Sequence, residues 1–466
     1  MNRRSLLYAV LAALLIAGFV LTQFRIRPDA RPIGRPEDVV SLAKRDDLNV
    51  IFILVDTLRA DRLGVYGYER PTSPTLDHLA RTGIRFAYHL SQSSWTKTSM
   101  ASLWTATYPS RNGILRYDHV IPGSAVLPAE ILKDSGYLTA GIWRNGWVAA
   151  TFGFEQGFEV YHRPNIGAPL AGVRRETDNP YAKLAGSDVD ATDGIVEFLR
   201  ANEQDRFFLY VHFMDAHQYL SDEESAVFGT TYSDLYDNSI HWTDRQVARV
   251  LAALEEYDLR DETIVVIASD HGEAFLEHGN EGHAKDLHRE VIQTPLIIGL
   301  PFSLEPGVVI DTMTENVDVW PTLLDLLGEP TLEDVDGVSR MPEILAGLGQ
   351  GSGPSNPPRP SFAQLDRSWG KADAEAEPLI AVTDSDHRFI RGFGTRPVAK
   401  LFDRSLDPME RQNELLNDAT LDVSKYDALI EGYLDAPKPA WANEVGVVEL
   451  DDMQKGQLRA LGYAIE

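Results

Sequence analysis

The sequence predicts an α/β fold in which helices cover both faces of a mostly parallel central sheet. Continuous apolar runs, typical of buried parallel strands, begin at residues 49–55 and recur along the chain. Stretches with helical periodicity separate them, and strands that alternate with helices form a sheet buried on both sides. The other predicted strands are 138–143, 207–213, 263–268 and 295–300, and the predicted helices are 74–82, 127–135, 188–201 and 234–257.

The composition excludes several functions. The chain has 466 residues, 44% of them hydrophobic, which is enough to bury a large core. Its 70 acidic and 43 basic residues give a formal net charge of −27, so the chain repels a phosphate backbone and nucleic acid is not an expected partner. The sequence contains no cysteine, which excludes disulfides, thiolate metal ligands and cysteine nucleophiles.

The first 24 residues have the features of a transmembrane anchor. Arg3 and Arg4 precede an uncharged apolar stretch at 5–24, and about 20 helical residues span the roughly 30 Å of a bilayer core. A cleaved signal peptide is the alternative, although its apolar region is usually shorter. The following segment, 25–47, contains several prolines and is predicted to be a stalk between the membrane and the domain.

The rest of the chain divides by composition. We predict a catalytic domain at 48–348, a flexible Gly/Pro/Ser-rich linker at 349–361, a C-terminal α+β subdomain at 362–435 and a tail at 436–466. The subdomain is expected to pack on the catalytic domain. Its strand-like pieces are 379–382, 388–391 and 399–402.

Polar residues at the ends of two predicted strands are candidates for a metal site. Asp56 follows the first strand, and Asp270 and His271 follow the strand at 263–268. Ligands in sheets of this kind bind at the carboxyl ends of the strands. A carboxylate and an adjacent imidazole can reach one cation, although a hydrogen-bonded turn is the alternative for such residues.

Thr96 is a candidate nucleophile. The residues after it look helical, so Thr96 is placed near a helix N-terminus, where free amides and the helix dipole favour an anion. A hydroxyl beside a divalent cation loses its proton more easily and becomes a nucleophile. Taken alone, the position also suits a threonine that caps the helix.

Two further segments concentrate ionisable side chains. Asp215 and His217 follow another predicted strand, and His283 and Lys285 lie in the histidine-rich segment 278–288. These histidines can bind an anion or transfer a proton, whereas a loop histidine is more often only solvated. Asp215, together with a histidine, is also a candidate for a second metal site.

In their order along the chain, these motifs resemble the sulfatase family of the alkaline phosphatase superfamily. The segment 49–67 (NVIFILVDTLRADRLGVYG) resembles the family's opening strand, 94–113 (SWTKTSMASLWTATYPSRNG) its nucleophile helix, and 267–279 (IASDHGEAFLEHG) its second metal segment. The resemblance runs from about residue 49 to about residue 416. The other similar segments are 207–217, 283–298, 317–328 and 401–416.

The resemblance implies roles for single residues, and it implies an anionic phosphate or sulfate ester as substrate. It also implies that the catalytic domain lies outside the cytoplasm, in a periplasmic or extracellular space, although the arginines on both sides of the apolar stretch favour the opposite topology by count. The positions that match metal ligands are Asp56, Thr96, Asp270 and His271, with Thr96 also the nucleophile. The positions that match or lie near substrate-binding residues are His217, His283, Lys285 and Asn145, the first three also with a catalytic role.

The sequence departs from the family pattern at the nucleophile. The Cys/Ser-x-Pro-x-Arg motif of formylglycine sulfatases reads Thr96-Lys97-Thr98-Ser99-Met100 here, and threonine cannot be oxidised to the formylglycine aldehyde. Thr57 replaces one Asp of the family's Asp-Asp pair, and His271 replaces an Asn ligand. A ligand set that contains nitrogen favours Zn²⁺ or Mn²⁺, while Ca²⁺ and Mg²⁺ remain alternatives.

We therefore predict a membrane-anchored, metal-dependent hydrolase that cleaves phosphate or sulfate esters, preferring phosphate, through a covalent intermediate on Thr96. Two alternatives remain open. One is a transferase that moves a phosphoglycerol or phosphoethanolamine head group to an alcohol acceptor. The other is a non-catalytic binding protein on the same fold.

Overall fold

The computed structural model describes residues 31–164, 186–350, 356–371 and 373–460. Strands and helices alternate through most of the chain, and a run of strands follows. The strands are β1 (Asn49–Val55), β2 (Ile84–Leu90), β3 (His119–Val120), β4 (Leu138–Trp143), β5 (Val160–His162), β6 (Phe207–Phe213), β7 (Thr263–Ala268), β8 (Ala274–Phe275), β9 (Glu281–Gly282), β10 (Gln293–Gly299), β11 (Val308–Ile310), β12 (Thr314–Glu315), β13 (Ser361–Asp366), β14 (Pro378–Thr383), β15 (His387–Gly392), β16 (Val398–Asp403) and β17 (Gly446–Val447). The α-helices are α1 (Pro36–Ser41), α2 (Pro74–Arg81), α3 (Thr96–Thr105), α4 (Pro109–Asn112), α5 (Pro128–Asp134), α6 (Asp188–Ala201), α7 (Tyr232–Glu256), α8 (Arg289–Ile292), α9 (Val319–Leu327), α10 (Met341–Gly347), α11 (Glu414–Asn417), α12 (Ser424–Leu434) and α13 (Asp452–Ala460).

A mostly parallel sheet forms the centre of the molecule, as the sequence predicts. Among the described residues it has nine strands, eight of them in the order β11-β2-β10-β7-β1-β6-β4-β5, and β12 pairs with β2. The strands from β7 to β5 in this order are parallel to one another, whereas β10 runs antiparallel to both of its neighbours. The carboxyl ends of β7, β1 and β6 therefore lie side by side.

Strand β1 shows why this sheet is buried on both faces. All seven of its residues are buried. Phe52 packs toward α3 and α9, where its ring centroid lies 5.4 Å from that of Trp320. Ile51 and Ile53 face the opposite core, to which α2, α6 and α7 contribute. Apolar residues on both sides of the strand explain the continuous apolar run in the sequence.

The main strands that the sequence pattern missed are β2 and β13. Strand β2 lies next to the short strand β11 near one edge of the sheet, and Arg85, Tyr88 and His89 interrupt its apolar residues. The predicted elements agree with the observed ones to within two residues at each end.

Strands β13 to β16 form a separate antiparallel sheet in chain order, in the region predicted as the C-terminal subdomain. Leu365 and Ile390 belong to the large core beneath the central sheet. Helix α12 covers other residues of this small sheet, where Tyr426 stacks on Phe389 with centroids 5.3 Å apart. The sheet therefore packs on the main domain, while the boundaries at 349–361 and 362–435 remain predictions.

Both ends of the described chain pack on the main domain. The predicted anchor at 1–24 lies outside the described residues, and within them we find no helix with the length and apolar character that crossing a bilayer requires. The second part of the predicted stalk is folded rather than extended, because Val39 and Leu42 are buried in the large core. In the predicted tail, β17 pairs with β3, and Leu458 joins the same core.

Candidate active site

The carboxyl ends of β1 and β7 bring the predicted metal ligands together. Asp56 follows β1, and Asp270 and His271 lie just after β7, the parallel neighbour of β1. Thr96 is the first residue of α3. All four side chains are completely buried. This arrangement agrees with the rule that ligands bind at the carboxyl ends of parallel strands.

Two carboxylate oxygens in this cluster are buried and have no hydrogen-bond partner in the described part of the chain. They are Oδ1 of Asp56 and Oδ2 of Asp270. Leaving a buried charged oxygen unsatisfied is costly, so such atoms usually have a partner. One ligand atom from each of Asp56, Asp270 and His271 lies within 4.8 Å of the others. The donor set therefore fits a divalent cation.

A backbone hydrogen bond fixes the orientation of the His271 ring. Nδ1 donates to the carbonyl oxygen of Gly272 at 2.9 Å, because a carbonyl can only accept. Nε2 therefore carries the lone pair, and it lies 3.1 Å from Oγ1 of Thr96. Burial lowers the pKa of His271 and keeps the ring neutral. A neutral imidazole oriented in this way is the form that binds a metal.

Asn145 links the candidate nucleophile to the first carboxylate. Its Nδ2 donates to Oδ2 of Asp56 at 2.6 Å and lies 3.4 Å from Oγ1 of Thr96. Its Oδ1 accepts from the backbone N–H of Trp147 at 2.9 Å, which sets the orientation of the amide. The structure thus places this predicted substrate-binding residue, completely buried, against the cluster.

The two carboxylates of the cluster have opposite pKa shifts. Burial, together with the negative charge of Asp56, raises the pKa of Asp270 to about 7. Burial also opposes a charge on Asp56, but the nearby His217 and a hydrogen bond from His212 hold its pKa below the usual range. Asp56 is therefore the member of the pair that more strongly favours the charged form.

His217 and His283 lie next to the cluster. The ring centroid of His283 is 4.5 Å from that of His271 and 4.9 Å from that of His217. Nδ1 of His283 lies 3.0 Å from Oε2 of Glu273. Burial lowers the pKa of both histidines, that of His283 to about 4, and raises the pKa of Glu273 to about 7. Both rings are neutral near pH 7 and suit the exchange of one proton.

Lys285 lies at the rim of this site. Its side chain is exposed, and Nζ donates to the carbonyl oxygen of Glu281 at 2.5 Å. Its charge opposes the burial that raises the pKa of Glu273 and adds to the burial that lowers the pKa of His283. Within the described ranges, no hydrogen bond joins Lys285 to the predicted metal ligands, so its predicted role in binding the transferred group remains a prediction.

Sequence reasoning missed His212, which contacts Asp56. Its Nε2 lies 3.0 Å from Oδ2 of Asp56, and the hydroxyl of Tyr210 lies 2.8 Å from its Nδ1. His212 pairs with Leu54 in the register between β1 and β6. A histidine inside an otherwise apolar strand, so close to the end that carries the site, is the signal that could have identified it.

Asp215, which the sequence suggests for a second metal, serves another purpose. One carboxylate oxygen accepts from Nη1 of Arg144 at 2.5 Å. The other accepts from Nε1 of Trp242 at 2.8 Å and from the backbone N–H of Asp188 at 3.1 Å. Both oxygens are therefore occupied, and Asp215 is part of a buried ion-pair network instead of a metal site.

Known proteins share both the sequence pattern and the fold. The family model described as Sulfatase matches residues 48–329, and the model described as N-sulphoglucosamine sulphohydrolase, C-terminal, matches residues 279–429. Steryl-sulfatase of Mus musculus is 27% identical, over 75% of this chain and 71% of that protein.

Two solved structures are similar in fold. A 2-O GAG sulfatase has a TM-score of 0.67 at 19% identity, over 85% of this chain and 96% of its own. Phosphonate monoester hydrolase of Agrobacterium radiobacter has a TM-score of 0.66 at 16% identity, over 82% and 95%. Because their identities are low, these two likenesses are evidence for the fold alone.

Proposed function

This chain belongs to the sulfatase family of the alkaline phosphatase superfamily and is an ester hydrolase, and we propose that it uses Thr96 as its nucleophile. The single observation that supports this most strongly is the pair of unsatisfied buried oxygens on Asp56 and Asp270, beside the hydroxyl of Thr96. Together with Nε2 of His271, these atoms make a site for one divalent cation.

The family is metal-dependent, and the residues present here suit a metal. When bound, a divalent cation acts as a Lewis acid that favours a deprotonated hydroxyl and shields charge on a non-bridging oxygen. Asp56, Thr96, Asp270 and His271 would hold it. Since this set contains an imidazole nitrogen besides oxygen atoms, we propose Zn²⁺ or Mn²⁺ in preference to Ca²⁺ or Mg²⁺.

In the proposed reaction, a neutral His217 or His283 takes the proton of Oγ1 of Thr96, and Oγ1 attacks the phosphorus or sulfur atom of the ester. The bond from that atom to the alcohol oxygen breaks, and the histidine gives the proton to the departing oxygen. Water then gives a proton to the same histidine and attacks the phosphorus or sulfur atom, the bond to Thr96 breaks, and Oγ1 regains a proton from the histidine. Asn145 orients Oγ1 through its Nδ2, since this amide also holds Asp56.

We propose that phosphate esters are preferred over sulfate esters. Thr96 has a secondary hydroxyl and cannot supply the formylglycine aldehyde on which the family's sulfate-specific members depend. Displacement at the central atom by an alcohol nucleophile, followed by attack of water, remains as the route. Phosphorus accepts this double displacement in many enzymes that form a covalent intermediate.

We also propose that residues 5–24 anchor the chain in a membrane, with the catalytic domain in a periplasmic or extracellular space. The support is the uncharged apolar stretch after Arg3 and Arg4. The full chain should stay in the membrane pellet after alkaline extraction, and protease added to spheroplasts should degrade its domain. Release by alkali would contradict the anchor, and protection from protease would contradict the orientation.

An ester panel combined with chelation tests the proposed function. The full chain is assayed with 4-nitrophenyl phosphate, bis(4-nitrophenyl) phosphate and 4-nitrophenyl sulfate, before and after dialysis against EDTA. We expect the highest kcat/KM on a phosphate ester, loss of activity after dialysis and recovery with Zn²⁺ or Mn²⁺. A higher kcat/KM for the sulfate would overturn the preference. Activity that survives complete metal removal would overturn the metal-dependent mechanism.

A further inference from the structure

A cavity of about 250 Å³ lies between residues 280–288 and the C-terminal sheet. Both parts of the chain contribute cationic side chains to its wall. Lys285 comes from the first part, and Arg367, Arg396 and Lys400 come from the second. Basic residues that converge on one concave surface favour an anionic ligand.

Three of these four cations have no carboxylate partner within the described ranges. Lys285 donates to a carbonyl oxygen, Arg367 donates to the carbonyl oxygens of Glu377 and Phe393, and Nζ of Lys400 lies 2.9 Å from Nε2 of His288. A chain with 70 acidic and 43 basic residues has ample carboxylates for its cations. Cations without carboxylate partners are therefore a local feature of this cavity and do not follow from the composition of the chain.

The remaining charged groups of the wall compensate only part of this positive charge. Arg396 is paired with Glu377, to which its two nitrogens donate at 2.8 and 2.5 Å. Among the described residues, Asp286 is the one carboxylate in the wall against four cationic side chains, and its oxygens accept from Nδ2 of Asn280 at 2.5 Å and from the backbone N–H of His288 at 3.3 Å. Burial and the neighbouring Arg396 lower the pKa of Arg367, while the charges of Glu377 and Asp366 act in the opposite direction.

A short segment of the chain links the wall of this cavity to the candidate active site. Lys285 is two residues from His283, and the ring of His283 packs against that of His271. The charge of Lys285 also acts on Glu273 and His283, so a substrate that extends from the metal ligands past His283 would approach the same lysine. The same short segment thus contributes to both places.

We propose that this cavity is a second anion-binding subsite, which holds a carboxylate, sulfate or phosphate group of the substrate apart from the ester that is cleaved. The substrate class is then an ester with at least two anionic groups. This inference rests on the proposed function only for the position of the cleaved ester. Binding of an anion in the cavity itself does not depend on turnover.

Calorimetric titration of the full chain with myo-inositol hexasulfate, at fixed ionic strength, tests the subsite. Lys400→Gln and Arg367→Gln each remove one cation, Lys400→Arg keeps the charge, and Lys133→Gln removes an exposed lysine on α5 as a matched control. We expect the Kd to rise about tenfold in each of the first two variants, as for the loss of one charge-assisted contact. We expect it to change less than about twofold in the other two. Circular dichroism verifies that each variant is folded.

The possible results separate the two proposals. No binding by the wild-type chain, an unchanged Kd in Lys400→Gln, or an equal rise in Lys133→Gln would overturn the subsite. If Arg367→Gln does not fold, the comparison of Lys400→Gln with Lys400→Arg decides alone. A wild-type chain that binds hexasulfate through Lys400 and cleaves no ester would overturn the proposed function and leave the subsite standing.

Discussion

The hydroxyl oxygen of Thr96 lies 3.1 Å from Nε2 of His271, although 175 positions separate the two residues. The contact forms because α3 begins at Thr96 and β7 ends shortly before His271. The hydrogen bond from Nδ1 to Gly272 leaves Nε2 as an acceptor. The hydroxyl of Thr96 therefore faces the lone pair of His271 within a cluster that also contains Asp56 and Asp270.

Replacing Thr96 by alanine should abolish turnover. Without Oγ1 no covalent intermediate forms, and we expect kcat to fall by about three orders of magnitude or more. Thr96→Ser keeps a hydroxyl and should retain far more activity. Thr98→Ala is a matched control, because this buried hydroxyl donates to the carbonyl oxygen of Ile114. Steady-state kinetics on 4-nitrophenyl phosphate make the comparison, and near-wild-type kcat in Thr96→Ala would refute the nucleophile.

His212→Phe should weaken metal binding. His212 holds Oδ2 of Asp56 at 3.0 Å, and its loss leaves this oxygen oriented by the amide of Asn145 without the imidazole. Removing a residue that orients a metal ligand typically lowers affinity about 10–100-fold. Tyr210→Phe removes only the hydroxyl behind His212 and should have a smaller effect. Competition with a fluorescent chelator measures both affinities; wild-type affinity in folded His212→Phe would show that His212 does not orient Asp56.

Asn145→Leu should lower kcat/KM by about 10–100-fold, because one amide orients both Asp56 and the nucleophile. Leucine keeps the branched shape of the side chain but has a larger volume, so circular dichroism verifies that the variant is folded. We expect the cation content, measured by elemental analysis, to fall less than kcat/KM. Equal losses of cation and of activity would mean that Asn145 acts only through the metal ligands.

The stability of the chain should fall as the pH rises through the pKa of His278. Its Nδ1 lies 2.6 Å from Oε1 of Glu290, and its Nε2 lies 2.8 Å from the carbonyl oxygen of Glu410. Burial opposes the charge, but these partners raise the pKa above its ordinary value of 6.5. Since the folded-state pKa exceeds the unfolded one, the stabilisation is complete below pH 6.5 and is lost as His278 deprotonates.

His278→Gln should remove this component of the pH dependence. The ring of His278 stacks on that of His288 with centroids 3.7 Å apart. Two cations lie nearby: Nζ of Lys400 is 2.9 Å from Nε2 of His288, and Nη1 of Arg388 is 3.1 Å from Oε1 of Glu410. We expect the fall in unfolding free energy between pH 6 and pH 9 to be smaller in the variant than in the wild-type chain. Urea unfolding at both pH values gives the difference. The same pH dependence in both proteins would mean that His278 does not stabilise the folded state by its charge.

Much of the fold was predictable because the buried strands are continuous apolar runs. Strand β1 is apolar on both sides, and its neighbours β6 and β7 are likewise mostly apolar and buried along their whole length. Strand β2 was missed because it lies near the sheet edge, where polar side chains are tolerated. Such a strand differs little in local pattern from a loop.

Site residues that directly follow a strand could be predicted from the sequence. Residues that reach the site only through the pairing of neighbouring strands could not. Asp56 and Asp270 were found because each stands at the carboxyl end of a buried strand. His212 was missed because only its register with β1 brings it to Asp56. The pairing of Asp215 with Arg144 depends likewise on contacts that no local pattern contains.

The cation content of the purified full chain tests the central claim most directly. Elemental analysis should find about one divalent cation per wild-type chain, and less than about a tenth of one in a folded variant with Asp56→Asn and Asp270→Asn. This loss is expected because each substitution turns a carboxylate into a neutral amide, which is a much weaker ligand for a divalent cation. A variant that retains the wild-type cation content would contradict the account.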